Sequence, residues 1–130
     1  MATKYPLSSR SLLDHIDATR RELSRELDPE VRAELGQFFT PSDVGVLMAS
    51  MLDLSGTEVR LLDPGGGIGS LVAACVAELS RRRRRPSRLH VTAYEIDERL
   101  AEPLSRTLEL CGEVCEGLGI GFKSDVVTGD

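Results

Sequence analysis

The run Leu61-Leu62-Asp63-Pro64-Gly65-Gly66-Gly67-Ile68-Gly69-Ser70 closes an apolar stretch with an acid and a glycine loop. Glycines at 65, 67 and 69 lack a Cβ, so the backbone there is free to take positive φ and to approach a ligand before a helix begins at Ser70. A strand that delivers such a loop builds a cradle for a small molecule. The dinucleotide fingerprint G-x-G-x-x-G needs a third glycine where Ser70 stands, so NAD fits poorly. Glu95 ends the next strand-like run, Leu89-His90-Val91-Thr92-Ala93-Tyr94. In an open α/β sheet that position is the carboxyl edge beside the glycine loop, where a carboxylate accepts both hydroxyls of a ribose. The competing use of Glu95, Asp97 and Glu98 is to cap the following helix, a task Asp97 can do alone. With Glu95 on the ribose, Ile96 lies against the adenine ring. A glycine cradle and an acid one strand over describe a nucleoside-bearing cofactor.

The elements that must position these groups follow from periodicity. Leu12, Leu13, Ile16, Leu23 and Leu27 recur near helical spacing among arginines and acids, predicting an amphipathic helix from Ser11 to Leu27. Asp28-Pro29 then reads as a cap and first helical position, starting a short helix over Pro29–Leu35 that stops at Gly36. Thr40-Pro41-Ser42-Asp43 has a hydroxyl at the cap, a proline just inside and a carboxylate three residues on, a capping box with Asp43 in place of Glu. The helix it opens should reach Leu54 and bury Val44, Leu47, Met48, Met51 and Leu52. A strand over Thr57–Asp63 leads into the glycine loop, and a helix from Ser70 to Arg82 turns Leu71, Ala74, Cys75 and Leu79 inward. After the second strand a helix spans roughly Glu98 to Cys115, and Pro103 must sit in its first turn or kink it. A last strand lies between Ile120 and Val127. Strand and helix alternate, which gives an α/β architecture with a parallel sheet and right-handed crossovers. The domain reading is an N-terminal helical segment over residues 1–40 and a partial Rossmann-like domain over 41–130.

The chain's 130 residues, 41% hydrophobic and 28% charged, are enough for one modest globular domain. Aromatics are 4% with no Trp, and the formal net charge is -5, a balance opposed to a dedicated nucleic-acid arm. DNA binding therefore needs more protein than this. Cys75, Cys111 and Cys115 are an odd set with no signal peptide ahead of them, pointing to a reducing, cytoplasmic setting. Cys111 and Cys115 lack a ligand quartet with the distant His15 and His90, and helical spacing makes them core residues, so no metal is assigned. No apolar stretch approaches the ~20 residues that span a bilayer. The Arg81–Arg85 run closes a helix, where cations complement the dipole; a phosphate contact is the alternative. His90 alternates with apolar strand residues and reads as a structural histidine.

At these residues the chain resembles the class I S-adenosylmethionine-dependent methyltransferases and, within them, the γ-class DNA adenine-N6 methyltransferases of bacterial restriction-modification systems. Gly36-Gln37-Phe38-Phe39-Thr40-Pro41 is similar to the family's first motif, which closes over the methionine end of the cofactor. Asp63 to Leu71 resembles its D-P-x-x-G-x-G-S-hydrophobic loop, and Tyr94-Glu95-Ile96-Asp97 its ribose-binding strand end. Many methyltransferases carry such a loop; the F-F-T-P segment upstream narrows the likeness to the DNA-adenine branch. The resemblance covers residues 30 to 130.

It implies S-adenosylmethionine as cofactor and a set of roles. Thr40, with Pro41 and the helix it opens, faces the cofactor carboxylate; Phe39 packs on the methionine chain; Asp63 accepts from the ammonium group; Gly65, Gly67 and Gly69 form the cradle; Glu95 and Ile96 take the ribose and adenine. A third acid accepts from the adenine amine: Asp125 and Asp130 are the candidates, and Thr128-Gly129-Asp130 is nearer to that motif. The expected fold is N-terminal helices followed by the first half of a class I methyltransferase sheet, three parallel strands with crossover helices, truncated. Methyl transfer to adenine in this family uses an N-P-P-Y-like motif, and the chain contains no Pro-Pro pair. No catalytic residue is therefore assigned, and the chain is expected to be inactive alone, reaching DNA only through the missing part of the enzyme. Its first-strand edge should be exposed, inviting self-association or a complementary catalytic chain. The alternative reading is a degenerate, non-catalytic module that binds cofactor or a partner protein.

Overall fold

A computed structural model describes residues 5–30, 33 and 39–129. Helix α1 spans Ser9–Glu26, and the Ser8 hydroxyl accepts the Ser11 N–H at 3.1 Å to close its first turn. Its apolar stripe sinks Leu12 and Ile16 completely. The Asp28 carboxylate accepts the Glu30 N–H at 2.9 Å, the cap expected there. The short helix expected over Pro29–Leu35 falls mostly outside the described residues, as do Gly36, Gln37, Phe38 and Asp130.

Helix α2 spans Ser42–Ser50, strand β1 Glu58–Asp63, helix α3 Ser70–Arg81, strand β2 Arg88–Glu95, helix α4 Ala101–Gly117 and strand β3 Gly121–Thr128. A 3-10 turn, Glu98–Leu100, precedes α4, and Pro103 sits in its first turn, where a missing N–H costs nothing. The sheet runs β1-β2-β3, all parallel, with Leu61 beside Val91 and Val91 beside Ser124. Helices α3 and α4 are the crossovers. The result is the α/β, partly Rossmann-like fold expected.

Side-by-side register puts Val59, Leu89 and Phe122 on one sheet face, followed by Leu61 and Val91, then Ala93 and Val126. These residues meet Val72, Val76 and Leu79 of α3, Leu104, Leu108 and Cys111 of α4, and Leu12 and Ile16 of α1 in one core. Each fully buried leucine contributes roughly 1.5–3 kcal/mol. Cys75, Cys111 and Cys115 are buried free thiols; burial pushes Cys75 up to about 11 and Cys115 up to about 12.

Helix α2 departs from expectation. It is capped by Pro41 rather than Thr40, with no side-chain bond from the cap, and it ends at Ser50 rather than Leu54. Asp43 does not close a capping box; its carboxylate takes the neighbouring Val44 N–H at 2.9 Å. The residues expected to be buried, Val44, Leu47, Met48, Met51 and Leu52, are exposed, Met51 at 73%. The helix instead turns its small side to α3: Gly45 and Ala49 are buried, and a Cβ on Gly45 would stand 3.1 Å from the Ala74 Cβ. Close approach of two helices selected the small residues, and the large ones were left outside.

The arginine run is structural at two positions. Arg85 donates to the carbonyls of Leu79 at 3.0 Å and Ser80 at 2.9 Å, ending α3 as a dipole-complementing cation. Arg82 pairs with Glu78 at 3.1 Å and reaches the Leu52 carbonyl at 2.9 Å, tying the turn after α2 to α3. His90 on β2 pairs with Asp125 on β3 at 2.7 Å, the satisfied partner expected of a structural histidine.

Candidate functional site

Strand β1 ends in Asp63, and the chain then turns through Pro64–Gly69 into α3. The loop is held against the end of β2: the Gly66 N–H donates to the Tyr94 carbonyl at 2.8 Å, and the Gly67 N–H to Glu95 Oε2 at 2.7 Å. Gly67 and Gly69 have φ of +55° and +85°, the left-handed region that glycine enters freely. A Cβ on Gly69 would meet the Thr107 Cγ2 at 2.6 Å, so α4 presses directly beneath the loop. Gly65 differs from the reading that grouped it with these two. Its φ is not positive, and a Cβ there would meet nothing within 4 Å among the described residues. Nothing in the described fold requires glycine at 65.

Gly66 is the position sequence reasoning missed. A Cβ there would sit 3.1 Å from Leu104 Cδ2 and 3.3 Å from the Ala93 Cβ, so its absence lets the loop lie on β2. Three consecutive glycines carry no sign of which one is pinched.

Asp63 is nine-tenths buried. Its Oδ1 accepts the Gly65 N–H at 3.2 Å, while Oδ2 has no hydrogen-bond partner among the described residues. Burial raises its carboxyl above the usual carboxylate range; the Gly65 bond works against this, and the nearby Glu95 charge adds to the rise. The site thus holds a desolvated acid with one oxygen unspent.

Glu95 is 6% exposed, with Oε1 accepting the Asp97 N–H at 2.9 Å. Together with the Gly67 bond, it joins the glycine loop to the turn after β2, and each oxygen keeps a further lone-pair direction. Asp97 caps the 3-10 turn by accepting the Arg99 N–H at 3.0 Å, so Glu95 is not needed there. Ile96 is exposed beside it. The Gly129 N–H donates to the Glu95 carbonyl at 3.0 Å, bringing the end of β3 to the same edge.

Phe39 is half-buried against the core, with its Cδ1 3.8 Å from the position of a Cβ on Gly67. The segment Phe39–Pro41 therefore enters at the glycine loop before α2 begins. Of the residues singled out, Phe39, Asp63, Gly65, Gly67, Gly69, Glu95 and Ile96 meet at one edge, with Thr40 and Pro41 adjoining. Asp130 lies outside the described residues. Asp125 lies away from that edge: it stands beside Thr92 midway along β3, paired with His90.

A parallel α/β sheet with a glycine loop and two buried acids at its carboxyl edge is the architecture of a partial Rossmann-like domain. The chain belongs to the N-6 DNA Methylase family, which matches residues 23–106, most of the loop-bearing unit. It is 32% identical over 129 residues to the type II methyltransferase M.PstI of Providencia stuartii, covering 99% of this chain and 24% of that protein. Against the type II methyltransferase M.BsuBI of Bacillus subtilis it is 37% identical over 106 residues, 81% of this chain and 20% of that one. The chain thus spans a quarter or less of the length of these relatives. Among the described residues no helix is long and apolar enough to cross a membrane.

Proposed function

We propose that this chain is the cofactor-binding portion of a DNA adenine-N6 methyltransferase of a restriction-modification system and that it holds S-adenosylmethionine at the carboxyl edge of β1 and β2. The observation that carries this reading is Asp63, a buried carboxylate with Oδ2 unpartnered, beside a glycine that faces open space. An ammonium group there satisfies the orphan oxygen and offsets the cost of its burial. Glu95 offers its remaining acceptor sites to the ribose hydroxyls, Ile96 an apolar surface to the adenine, and Asp130 an acceptor for the adenine amine. Phe39 packs on the methionine chain, and Thr40 with Pro41 brings the start of α2 to the carboxylate. The cofactor, when bound, supplies an electrophilic methyl group; these residues bind and orient it.

DNA recognition and base methylation then belong to elements outside these residues, consistent with the share of the type II methyltransferases that the chain spans. The partner we propose is a polypeptide carrying those elements, joined along the open edge of β1. Three buried thiols suit a reducing, cytoplasmic setting. Calorimetric titration of the chain with S-adenosylmethionine, then with NAD, tests the reading. Saturable heat with the former alone, weakened at least tenfold (about 1.4 kcal/mol) by Glu95→Ala, supports it; no heat with S-adenosylmethionine, or equal heat with NAD, overturns it.

A further inference from the structure

Helix α2 starts at Ser42 with a proline cap that offers no side-chain acceptor. The acceptor comes from another element. Asp17 of α1, 25 residues upstream, takes the Ser42 hydroxyl on Oδ2 at 2.6 Å and the Ser42 N–H on Oδ1 at 3.4 Å. Arg20 stands 3.8 Å from the same carboxylate and steadies it. Asp17 is rooted, because the same helix turns Leu12 and Ile16 into the core at 0% exposure. Farther along, α2 rests on α3 through Gly45 against Ala74, and Arg82 holds the Ser50 and Leu52 carbonyls at its far end. The segment just before Ser42 is Phe39-Thr40-Pro41, whose phenyl ring lies over Gly67. A carboxylate on α1 is thus bonded to the residue that directly follows this segment.

We infer that Asp17 is a positioning residue for the cofactor site, acting through Ser42 to hold Phe39 and Thr40 over the glycine loop. This rests on the cofactor reading above. It gives the N-terminal helix a part in ligand affinity although α1 contributes no residue to the pocket. The geometry is specific: Asp17 spends one carboxylate oxygen on each Ser42 donor, whereas an amide at 17 offers one acceptor oxygen and a donor in place of the other.

The test is S-adenosylmethionine titration of the full chain, at a temperature where every variant is folded by circular dichroism. Asp17→Ala should weaken binding about tenfold, the size of a lost cap converted to affinity. Ser42→Ala should do nearly the same, the pair Asp17→Ala/Ser42→Ala no worse than either, and Asp17→Asn, which keeps one acceptor for Ser42, should lose less than Asp17→Ala. In a Phe39→Ala background the Asp17→Ala effect should shrink to the part carried by Thr40, a reduction that general destabilisation does not produce. Parent-like binding by both Asp17→Ala and Ser42→Ala overturns the inference alone, as does an undiminished Asp17→Ala effect without Phe39. Absence of binding by the parent chain overturns the cofactor reading and this inference with it.

Discussion

Gly65 and Gly69 share a loop for different reasons, and that difference separates folding from binding. Gly69 has φ +85° and would drive a Cβ into Thr107, so Gly69→Ala should cost roughly 1–3 kcal/mol of stability or more, read from urea or thermal unfolding. Gly65→Ala meets no atom of the described residues and should leave the melting temperature nearly unchanged while weakening S-adenosylmethionine binding; equal affinity would mean that the open space is not the ligand's. Asp63 makes a pH prediction whose sign follows from its raised carboxyl. The folded state holds that proton more tightly than the unfolded chain, so this group's contribution to stability falls as pH rises from the ordinary value near 3.8 through the folded value, and Asp63→Asn should flatten the fall. Ammonium binding needs the ionised form, so cofactor affinity should climb across the same window and level off above it. Calorimetry at a series of acidic to neutral pH values would show the rise; a flat profile would remove Asp63 as the cation's partner. Asp63, Glu95 and the loop were legible because acids at strand ends and glycines before a helix have few other uses. The unspent oxygen was not, since it depends on what the described residues packed around it do not supply.

Helices and strands were readable where one face is buried and one is wet. The α1 stripe, the β1 and β2 runs and the α4 period all show that contrast, and their bounds fall within a few residues of expectation. Helix α2 was misread because the pattern marks apolar residues without saying what they meet. Val44, Leu47 and Met51 form a periodic face, yet the helix packs through Gly45 and Ala49, and a stripe of small residues scores as nothing in a hydrophobic period. Its start was misread for a related reason: the acceptor for Ser42 comes from α1, a contact invisible to a local motif. Leu104 shows what α4 does for the site. Its side chain lies within 3.1 Å of a Cβ position on Gly66 and 3.3 Å of one on Gly69, so it is the floor of the loop. Leu104→Ala should cost about 2–5 kcal/mol. Urea unfolding should register that loss, and amide exchange should quicken at Gly66 and Gly67 before the helix itself opens; a loss with unchanged loop exchange would make Leu104 a core residue only.

The molecule as a whole is a parallel sheet with helices on one face. Register places Arg60, His90 and Lys123 side by side on the other face, then Leu62, Thr92 and Asp125, then Tyr94 and Val127, and Leu62 is 67% exposed. Parallel sheets are ordinarily covered on both faces and rarely end in an apolar edge. Here, among the described residues, β1 has β2 on one side and no strand on the other. Beside that edge, Met48, Met51, Leu52, Leu61 and Leu62 line an open groove of about 360 Å³. A strand laid along β1 would satisfy its outward amides and carbonyls, and its side chains on one face would adjoin the groove. The covering element in our reading is a complementary methyltransferase polypeptide, and in its absence the same surface should drive the chain to associate with itself. Light scattering across a concentration series should show mass rising above that of a monomer, with little sensitivity to salt because the contact is apolar. A charge on the edge is the natural remedy against such pairing. Leu62→Lys should return the chain to a monomer at a cost within about 0.5 kcal/mol of stability, since the side chain is exposed. The same change should block rescue by a complementary polypeptide while leaving S-adenosylmethionine binding intact. A parent chain that stays monomeric at high concentration, with the outward β1 amides protected from exchange, would mean that the edge is already closed by the chain itself.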